Sequence, residues 1–124
     1  MNNLGIVIVS HSKYLAQGII DLIGEVAKDV PITYIGGTSD GGIGSSFDSV
    51  QKIVELNQAK ELLAFYDLGS ARMNLELVDD FTAKTLLVQN VPIVEGAYIA
   101  AALLQAGADK DSILTQLDEL TITK

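Results

Sequence analysis

The chain has one histidine, His11, which stands between two serines at the end of an apolar run from Leu4 to Val9. A carboxylate, Asp67, ends a second run of this kind, from Leu62 to Tyr66. A carboxylate that accepts a hydrogen bond from one ring nitrogen fixes the imidazole tautomer and leaves the other nitrogen with a free lone pair. If the fold brings the two side chains together, the pair forms a nucleophilic histidine.

Short apolar strands alternate with longer amphipathic helices along the whole chain. This alternation predicts a three-layer α/β fold, with a four-stranded, mainly parallel sheet in the order 2-1-3-4 and helices on both faces. Ser12 is the expected N-cap of the first helix, and Ser45 with Asp48 resembles a capping box for the second. The predicted strands are Leu4 to Val9, Ile32 to Ile35, Leu62 to Tyr66 and Thr85 to Val88; the predicted helices run from Lys13 to Lys28, from Ser45 or Ser46, after Ser70, after Pro92 and through Ile113 to Leu120.

The carboxyl ends of strands 1 and 3 lie side by side in this strand order, at the topological switch point of the sheet. Open parallel sheets bind their ligands at that point. Strand 1 runs into Ser10, His11 and Ser12, and strand 3 runs into Asp67. The predicted topology therefore places His11 against Asp67 at the position where this fold class has its site.

Small and hydroxyl-bearing residues accompany the pair and indicate an anion site. Five of the 11 glycines lie in the nine residues from Gly36 to Gly44. Glycine-rich turns and helix N-termini offer backbone amides to anions. The segment lacks the G-x-G-x-x-G and P-loop patterns, so a flexible surface loop is the alternative interpretation. The residues expected to bind a phosphoryl group are Ser10, Ser12, Gly37, Thr38, Gly69 and Ser70.

Composition limits the partners and the chemistry. The length of 124 residues predicts a single domain, 1–124. A net charge of −8 argues against nucleic acid as a partner. The absence of cysteine and the single histidine exclude thiolate zinc sites and multi-imidazole sites, so we expect no metal and no cofactor. No apolar run approaches the ~18 residues of a membrane span and no signal peptide is evident, which predicts a cytoplasmic protein without a membrane partner.

Together these residues describe a histidine that accepts and donates a phosphoryl group. A serine hydrolase is disfavoured because no G-x-S-x-G elbow is present. A phospho-aspartate receiver needs acidic metal ligands after strand 1, where this chain has Ser10, His11 and Ser12. A non-catalytic anion-binding module stays open as the third alternative.

Four segments resemble a known family: Val-Ser-His-Ser (9–12), Ile-Gly-Ser-Ser (43–46), Asp-Leu-Gly-Ser-Ala (67–71) and Pro-Ile-Val-Glu-Gly-Ala (92–97). The chain resembles the phosphoryl-donor subunits of the phosphotransferase-system-dependent dihydroxyacetone kinases, whose domain is of the mannose-type enzyme IIA fold. The resemblance implies a phosphotransferase activity, with His11 as the phosphorylated residue and Asp67 as its supporting acid. It also implies a homodimer.

The resemblance further implies the partners. The phosphocarrier protein HPr donates the phosphoryl group, and ADP on a second kinase subunit accepts it. The ATP so formed phosphorylates dihydroxyacetone on a third subunit. Some members carry fused carrier domains; because this chain ends at Lys124, we expect separate carriers.

The alternative within the same fold family is the enzyme IIA of a mannose-type sugar transporter. Those domains usually continue after the aspartate with Leu-Phe-Gly-Gly-Ser-Pro, whereas Asp67 is followed here by Leu-Gly-Ser-Ala. This difference favours the kinase donor. A charged fraction of only 19% and an alanine-rich fourth helix also favour a homodimer, since small side chains permit close helix packing.

Overall fold

A computed structural model describes residues 3–124 of the chain. Strands and helices alternate along them, as the hydrophobic pattern predicts. The elements are β1 (Leu4–Ser10), α1 (Lys13–Val26), β2 (Ile32–Gly36), α2 (Phe47–Leu56), β3 (Glu61–Tyr66), α3 (Gly69–Asp79), β4 (Thr85–Gln89), α4 (Ile93–Gln105) and α5 (Lys110–Asp118).

The four strands form one parallel sheet in the order β2-β1-β3-β4, which confirms the predicted order. In the register of β1 with β3, Val9 lies opposite Tyr66. The residues that follow these two strands therefore leave the sheet side by side, at its carboxyl edge. This register is what brings His11 and Asp67 together.

Helices cover both faces of the sheet and enclose two apolar layers. Alternate residues of β1 point into opposite layers, as the two-residue period of a strand requires. Ile6 and Ile8 pack into the layer under α1, α4 and α5, and Val7 and Val9 into the layer under α2 and α3. All four side chains are fully buried, and each contributes about 1.5–3 kcal/mol to the hydrophobic free energy of folding. The edge that carries His11 is thus anchored from both sides.

The helix starts confirm one predicted cap and correct another. The Ser12 hydroxyl accepts the amide of Leu15 at 3.3 Å, as expected for the N-cap of α1. The capping box of Ser45 with Asp48 is wrong: Ser46 is the N-cap of α2 and accepts the amide of Ser49. The Ser45 hydroxyl instead accepts a hydrogen bond from Asn74 on α3, so this serine joins two helices.

The alanines of α4 pack inside the domain. Ala97, Ala100 and Ala101 are fully buried in the layer between α4 and the sheet. The expectation that small residues of this helix meet a second copy is therefore wrong for these three positions, because their methyl groups already pack against the protein's own core. Within residues 3–124, no helix is both long enough and apolar enough to cross a membrane.

Candidate active site

Asp67 is the centre of the site, and both of its carboxylate oxygens are bound. One oxygen, Oδ1, accepts from Nδ1 of His11 at 2.8 Å and from the amide of Leu68 at 2.7 Å. The other, Oδ2, accepts from the hydroxyl of Ser10 at 2.8 Å and from the amide of His11 at 2.9 Å. The predicted pairing of His11 with Asp67 is present, and one carboxylate holds both the ring and the backbone of the histidine.

The pKa of Asp67 lies below its ordinary value. Partial burial raises the pKa, but the hydrogen bonds from the backbone and ring of His11, the hydroxyl of Ser10 and the amide of Leu68 together lower it further. Hydrogen bonds donated to a carboxylate stabilise its ionised form. Asp67 is therefore an anion at neutral pH and holds the proton of His11 on Nδ1.

The other ring nitrogen of His11, Nε2, then carries the lone pair. Its partner is the hydroxyl of Ser70, which donates to it. The side chain of His11 is 13% exposed, whereas Ser70 lies at the surface. Because Ser70 is exposed, its side chain is free to turn away from Nε2 and leave the lone pair of that nitrogen accessible.

The first turn of α3 supplies the hydroxyl that meets this nitrogen and also contains amides without an acceptor. The N-cap residue, Leu68, has no side chain that can accept a hydrogen bond from the first turn. In the part of the chain that the structure describes, no acceptor meets the amides of Gly69 and Ser70. The start of a helix leaves such amides free and carries partial positive charge, which together make an anion site.

Ser10 and Ser12, which are expected to bind the phosphoryl group, make hydrogen bonds that support the site. Ser10 is buried, and its hydroxyl donates to Asp67 and accepts the amide of Ser12 at 3.0 Å. The hydroxyl of Ser12 caps α1. Both serines are thus engaged in holding the histidine and its aspartate in place.

The glycine-rich loop also differs from the expected anion cradle. The amide of Gly37 donates to the carbonyl of Ser10, and the amide of Thr38 donates to the carbonyl of Gly42. The hydroxyl of Thr38 donates to Asp40. The donors expected from Gly37 and Thr38 are therefore used within the loop or on β1.

The loop instead positions the histidine. The amide of Gly44 donates to the carbonyl of His11 at 2.9 Å. Gly37 and Gly44 have φ angles of 77° and 148°, a region that side chains disfavour, so the loop needs glycine at both positions to make this contact. Its role in the site is to fix the backbone on which the imidazole stands.

Large apolar side chains around the site were not predicted from the sequence, which indicated small residues next to the histidine. Tyr14, in the first turn of α1, is 82% exposed, and Leu68, next to Asp67, is 58% exposed. Ile43 of the glycine-rich loop and Met73 of α3 are also exposed. Exposed apolar groups around a reactive residue indicate a surface that contacts another protein. Their hydrophobicity is visible in the sequence, but their exposure depends on the packing of α1 and α3.

The histidine lies at the carboxyl edge of the sheet, where its Nε2 contacts the exposed Ser70. Cavities of about 340–550 Å³ are lined by other residues. The one of about 550 Å³ lies between α1 and the glycine-rich loop, along Lys13, Tyr34 and Asp40. An exposed edge of this kind can enter the active site of a second protein.

Comparisons with known proteins identify the family of the chain. The family model EIIA-man, described as the PTS system fructose IIA component, matches residues 5–114. The phosphotransferase subunit DhaM of the PTS-dependent dihydroxyacetone kinase from Lactococcus lactis is 55% identical; the match covers 97% of this chain and 98% of that protein. The phosphoryl donor subunit DhaM of kinase 1 from Listeria innocua is 48% identical, with 95% of each chain covered.

Solved structures share the fold. A crystal structure of a protein of unknown function superposes with a TM-score of 0.83 at 32% identity, covering 97% of this chain and 96% of the other. The phosphotransferase system component EIIA from Streptococcus agalactiae superposes with a TM-score of 0.66 at 20% identity, covering 97% and 96%. The chain therefore belongs to the EIIA-man family, in the group of the DhaM phosphoryl donor subunits of dihydroxyacetone kinases.

Proposed function

We propose that this protein carries a phosphoryl group on His11, taking it from phosphorylated HPr and passing it to ADP held on a dihydroxyacetone kinase subunit. One observation carries the proposal. Asp67 holds the proton of His11 on Nδ1 and leaves Nε2 on an open edge, next to the free amides of α3. The membership of the family of phosphoryl donor subunits agrees with this chemistry.

The transfer step requires only the imidazole and its supports. The Nε2 lone pair attacks the phosphorus of the carrier's phosphohistidine, a new N–P bond forms, and the old N–P bond breaks. The electron pair of the broken bond returns to the carrier's nitrogen. His11 keeps its Nδ1 proton, so the ring becomes positively charged, and Asp67 stabilises that charge at 2.8 Å. Discharge to ADP reverses these roles.

The phosphoryl oxygens are expected to meet the N-terminus of α3. The Ser70 hydroxyl meets Nε2, and the free amides of Gly69 and Ser70 belong to the same helix start. Because phosphoryl transfer depends on positioning and on stabilising the equatorial oxygens, these donors supply what the imidazole itself lacks. The other expected residues act on the transfer indirectly, by holding the histidine and the glycine-rich loop in position; they are Ser10, Ser12, Gly37 and Thr38.

The first experiment tests the phosphorylated residue. Incubation with phosphoenolpyruvate, enzyme I and HPr is expected to give an acid-labile, base-stable phosphate on the wild-type protein and none on His11→Ala. Since the sequence has one histidine, the variant removes every imidazole at once. An acid-stable phosphate, or label retained in His11→Ala, would refute the proposal. The matched Ser112→Ala variant, changed on α5, is expected to be labelled like the wild type.

A second experiment identifies the acceptor. The labelled protein is mixed separately with an ADP-loaded dihydroxyacetone kinase subunit and with a sugar-transporter enzyme IIB. We expect discharge to ADP, with the ATP so formed consumed by the subunit that binds dihydroxyacetone. The description of the matching family model, a fructose IIA component, makes the transporter the second candidate. Discharge to enzyme IIB alone would assign the protein to sugar transport.

A homodimer in the cytoplasm completes the proposal. Exposed apolar side chains lie on α3 and just after it, namely Met73 and Leu77 on the helix and Phe81 two residues beyond its end, and they support association with a second copy. Light scattering at micromolar concentration is expected to give twice the chain mass. A monomer would refute the dimer and leave the histidine chemistry unaffected.

A further inference from the structure

The segment 122–124 lies across the carboxyl edge of the sheet on the side of β4. Its path begins where the amide of Ile122 donates to the carbonyl of Asn90 at 2.9 Å. The side chain of Asn90 accepts the hydroxyl of Tyr66 at 2.6 Å. The segment ends with Lys124, whose ammonium donates to the carbonyl of Tyr66 at 2.5 Å and lies 3.9 Å from the centre of its ring. Lys124 is thus held at the residue that directly precedes Asp67.

The ammonium of Lys124 interacts with the site through its charge. Burial lowers its pKa below the ordinary value, and the nearby carboxylate of Asp67 acts in the opposite direction, towards the charged form. Among residues 3–124, Lys124 makes no ion pair. Its positive charge is therefore not neutralised by a direct carboxylate partner.

Two other cations near this edge are differently placed. Arg72 on α3 pairs with Glu76 at 3.3 Å, one turn along the same helix. Lys13 lies 5.9 Å from the ring of Tyr14 and lines the cavity beside the glycine-rich loop. Lys124 differs from both because it is fixed on the backbone of β3, next to the carboxylate that holds His11.

Phosphorylation adds charge where the protein already carries an excess of the same sign. Each transferred phosphoryl group brings one net negative charge to a chain whose net charge is −8, beside the ionised Asp67. A fixed cation nearby lowers the free energy of that state, and a partly buried position weakens the screening by solvent. Lys124 supplies the fixed cation, and its hydrogen bond to the carbonyl of Tyr66 is partly buried, while the residue as a whole is exposed.

We propose that Lys124 is a positioning residue of the phosphoryl site, whose ammonium, fixed on the carbonyl of Tyr66 beside Asp67, favours the phosphorylated state of His11. This inference rests on the proposed function. Lys124 acts through the electric field at the site and not by contact with the reacting atoms. A charge-conserving substitution therefore keeps the effect, and a neutral side chain of similar length removes it.

The test measures the equilibrium between the carrier and this protein. The full chain is incubated with HPr and enzyme I at fixed phosphoenolpyruvate-to-pyruvate ratios, and the phosphorylated fraction is read by intact-mass spectrometry at neutral pH. We expect Lys124→Met, which keeps the apolar stem over Tyr66, to lower the phosphorylation equilibrium constant about fivefold. Lys124→Arg is expected to stay within about twofold of the wild type.

The matched control is Lys60→Met, which removes an exposed lysine immediately before β3, at the opposite edge of the sheet. It changes the net charge equally and is expected to leave the equilibrium constant unchanged. About 1 M salt is expected to shrink the effect of Lys124→Met, since screening weakens a charge effect and not a packing effect. An unchanged equilibrium constant in Lys124→Met, or an equal loss in Lys60→Met, would overturn the assignment.

A second measurement separates this inference from the proposed function. The pKa of Lys124 is followed by nuclear magnetic resonance of its ε position in the unphosphorylated protein. Asp67→Asn is expected to lower that pKa, because it removes the carboxylate that favours the ammonium. An unchanged value would refute the placement of Lys124 even if His11 is phosphorylated normally. If the pKa shifts but His11 is never phosphorylated, the proposed function fails and the role of Lys124 in transfer fails with it.

Discussion

The two edges of the sheet each hold a cluster of hydrogen-bonded polar groups. The clusters differ in their outermost partner, which is an exposed side chain in one and mostly backbone in the other. At the carboxyl edge, Asp67 binds His11, and the ring of His11 meets the hydroxyl of Ser70. At the amino edge, the buried Asn57 donates to the carbonyl of Ile6 at 3.0 Å and to the hydroxyl of Thr33 at 3.2 Å. Both clusters satisfy their polar side chains, but only the carboxyl-edge cluster contains a histidine.

The amino-edge cluster is closed. The oxygen of Asn57 accepts the amide of Ala59 at 2.9 Å, and Lys84 donates to the carbonyl of Val54 at 2.8 Å and to that of Asn57 at the end of α2. Most of these partners are backbone groups that the strands and helices hold in place. The cluster therefore stabilises the packing of the end of α2 against the sheet.

The carboxyl-edge cluster is open at one end. Its inner bonds, from Ser10 and the backbone of His11 to Asp67, are as fixed as those of Asn57. Its outermost partner is the hydroxyl of an exposed side chain, Ser70, which can rotate away without disturbing the sheet. A polar network of this kind is open to reaction at the point where its outermost partner is exchangeable.

The largest expected effect comes from removing the inner anchor. Asp67→Ala is expected to slow transfer from HPr about 10²-fold or more, because the ring loses the carboxylate that sets its tautomer. Rapid-quench measurement of the phosphorylated fraction gives the rate. The control is Asp109→Ala, which removes another carboxylate with a lowered pKa, the N-cap of α5. A near-normal rate in Asp67→Ala would mean that the contact with His11 has no part in the chemistry.

The amino edge is expected to show the reverse. Asn57→Ala leaves the amide of Ala59 and the carbonyl of Ile6 without this partner inside the fold, which costs about 2–3 kcal/mol of stability. Thermal unfolding is expected at a Tm lower by about 10 °C. The transfer rate per folded molecule is expected to match the wild type at 20 °C. A tenfold slower transfer in the folded variant would contradict the separation of the two edges.

A smaller effect is expected from the exchangeable member. Ser70→Ala removes the hydroxyl that meets Nε2 but keeps the amides at the start of α3, so we expect transfer to slow about tenfold. Stability is expected to change little because Ser70 is exposed. The matched variant is Ser49→Ala, a serine near the start of α2. Equal rates in Ser70→Ala and the wild type would show that the hydroxyl only covers the nitrogen.

The smallest expected effect is the contribution of Asp67 to stability in acid. Its pKa is lower in the folded chain than in the unfolded chain, so its contribution is complete above about pH 5 and is lost as the pH falls through 4 towards the folded-state value. Urea unfolding at pH 6 and pH 3.5 is expected to show a smaller acid-induced loss for Asp67→Asn than for the wild type. The carboxyl of Asp109 also has a lowered pKa, so Asp109→Asn is expected to reduce the acid-induced loss of stability without affecting transfer. An equal loss in Asp67→Asn and the wild type would contradict the lowered pKa.

The pairing of His11 with Asp67 was predictable because it depends on periodicity and topology. Continuous apolar runs identify buried strands, and the order 2-1-3-4 places the ends of strands 1 and 3 together. The expected roles of Gly37 and Thr38 were predicted from their amino-acid types alone. An amino-acid type does not determine which acceptor its backbone amide binds in the fold. In the folded chain those amides bind the carbonyls of Ser10 and Gly42.

Lys124 illustrates a second limit of sequence interpretation. It stands 57 positions from Asp67 in the sequence, beyond any periodic element. Its place at the site depends on the course of residues 119–124 after α5 and on the hydrogen bond between Ile122 and Asn90. No sequence pattern in the last residues predicts that contact. The position of the Lys124 ammonium beside Asp67 could therefore be recognised only from the three-dimensional structure.

The two hydrogen bonds that Asp67 accepts from His11 have an entropic consequence. One carboxylate holds the backbone amide and the ring of the same residue, so the two torsion angles of the imidazole are restricted before any phosphoryl donor arrives. An imidazole that is not held in place loses rotational freedom when it reacts, and this loss of entropy lowers the rate of transfer. The folding of strands β1 and β3 has already supplied this ordering. Each encounter with a partner protein therefore begins with a histidine that has no conformational search left to make.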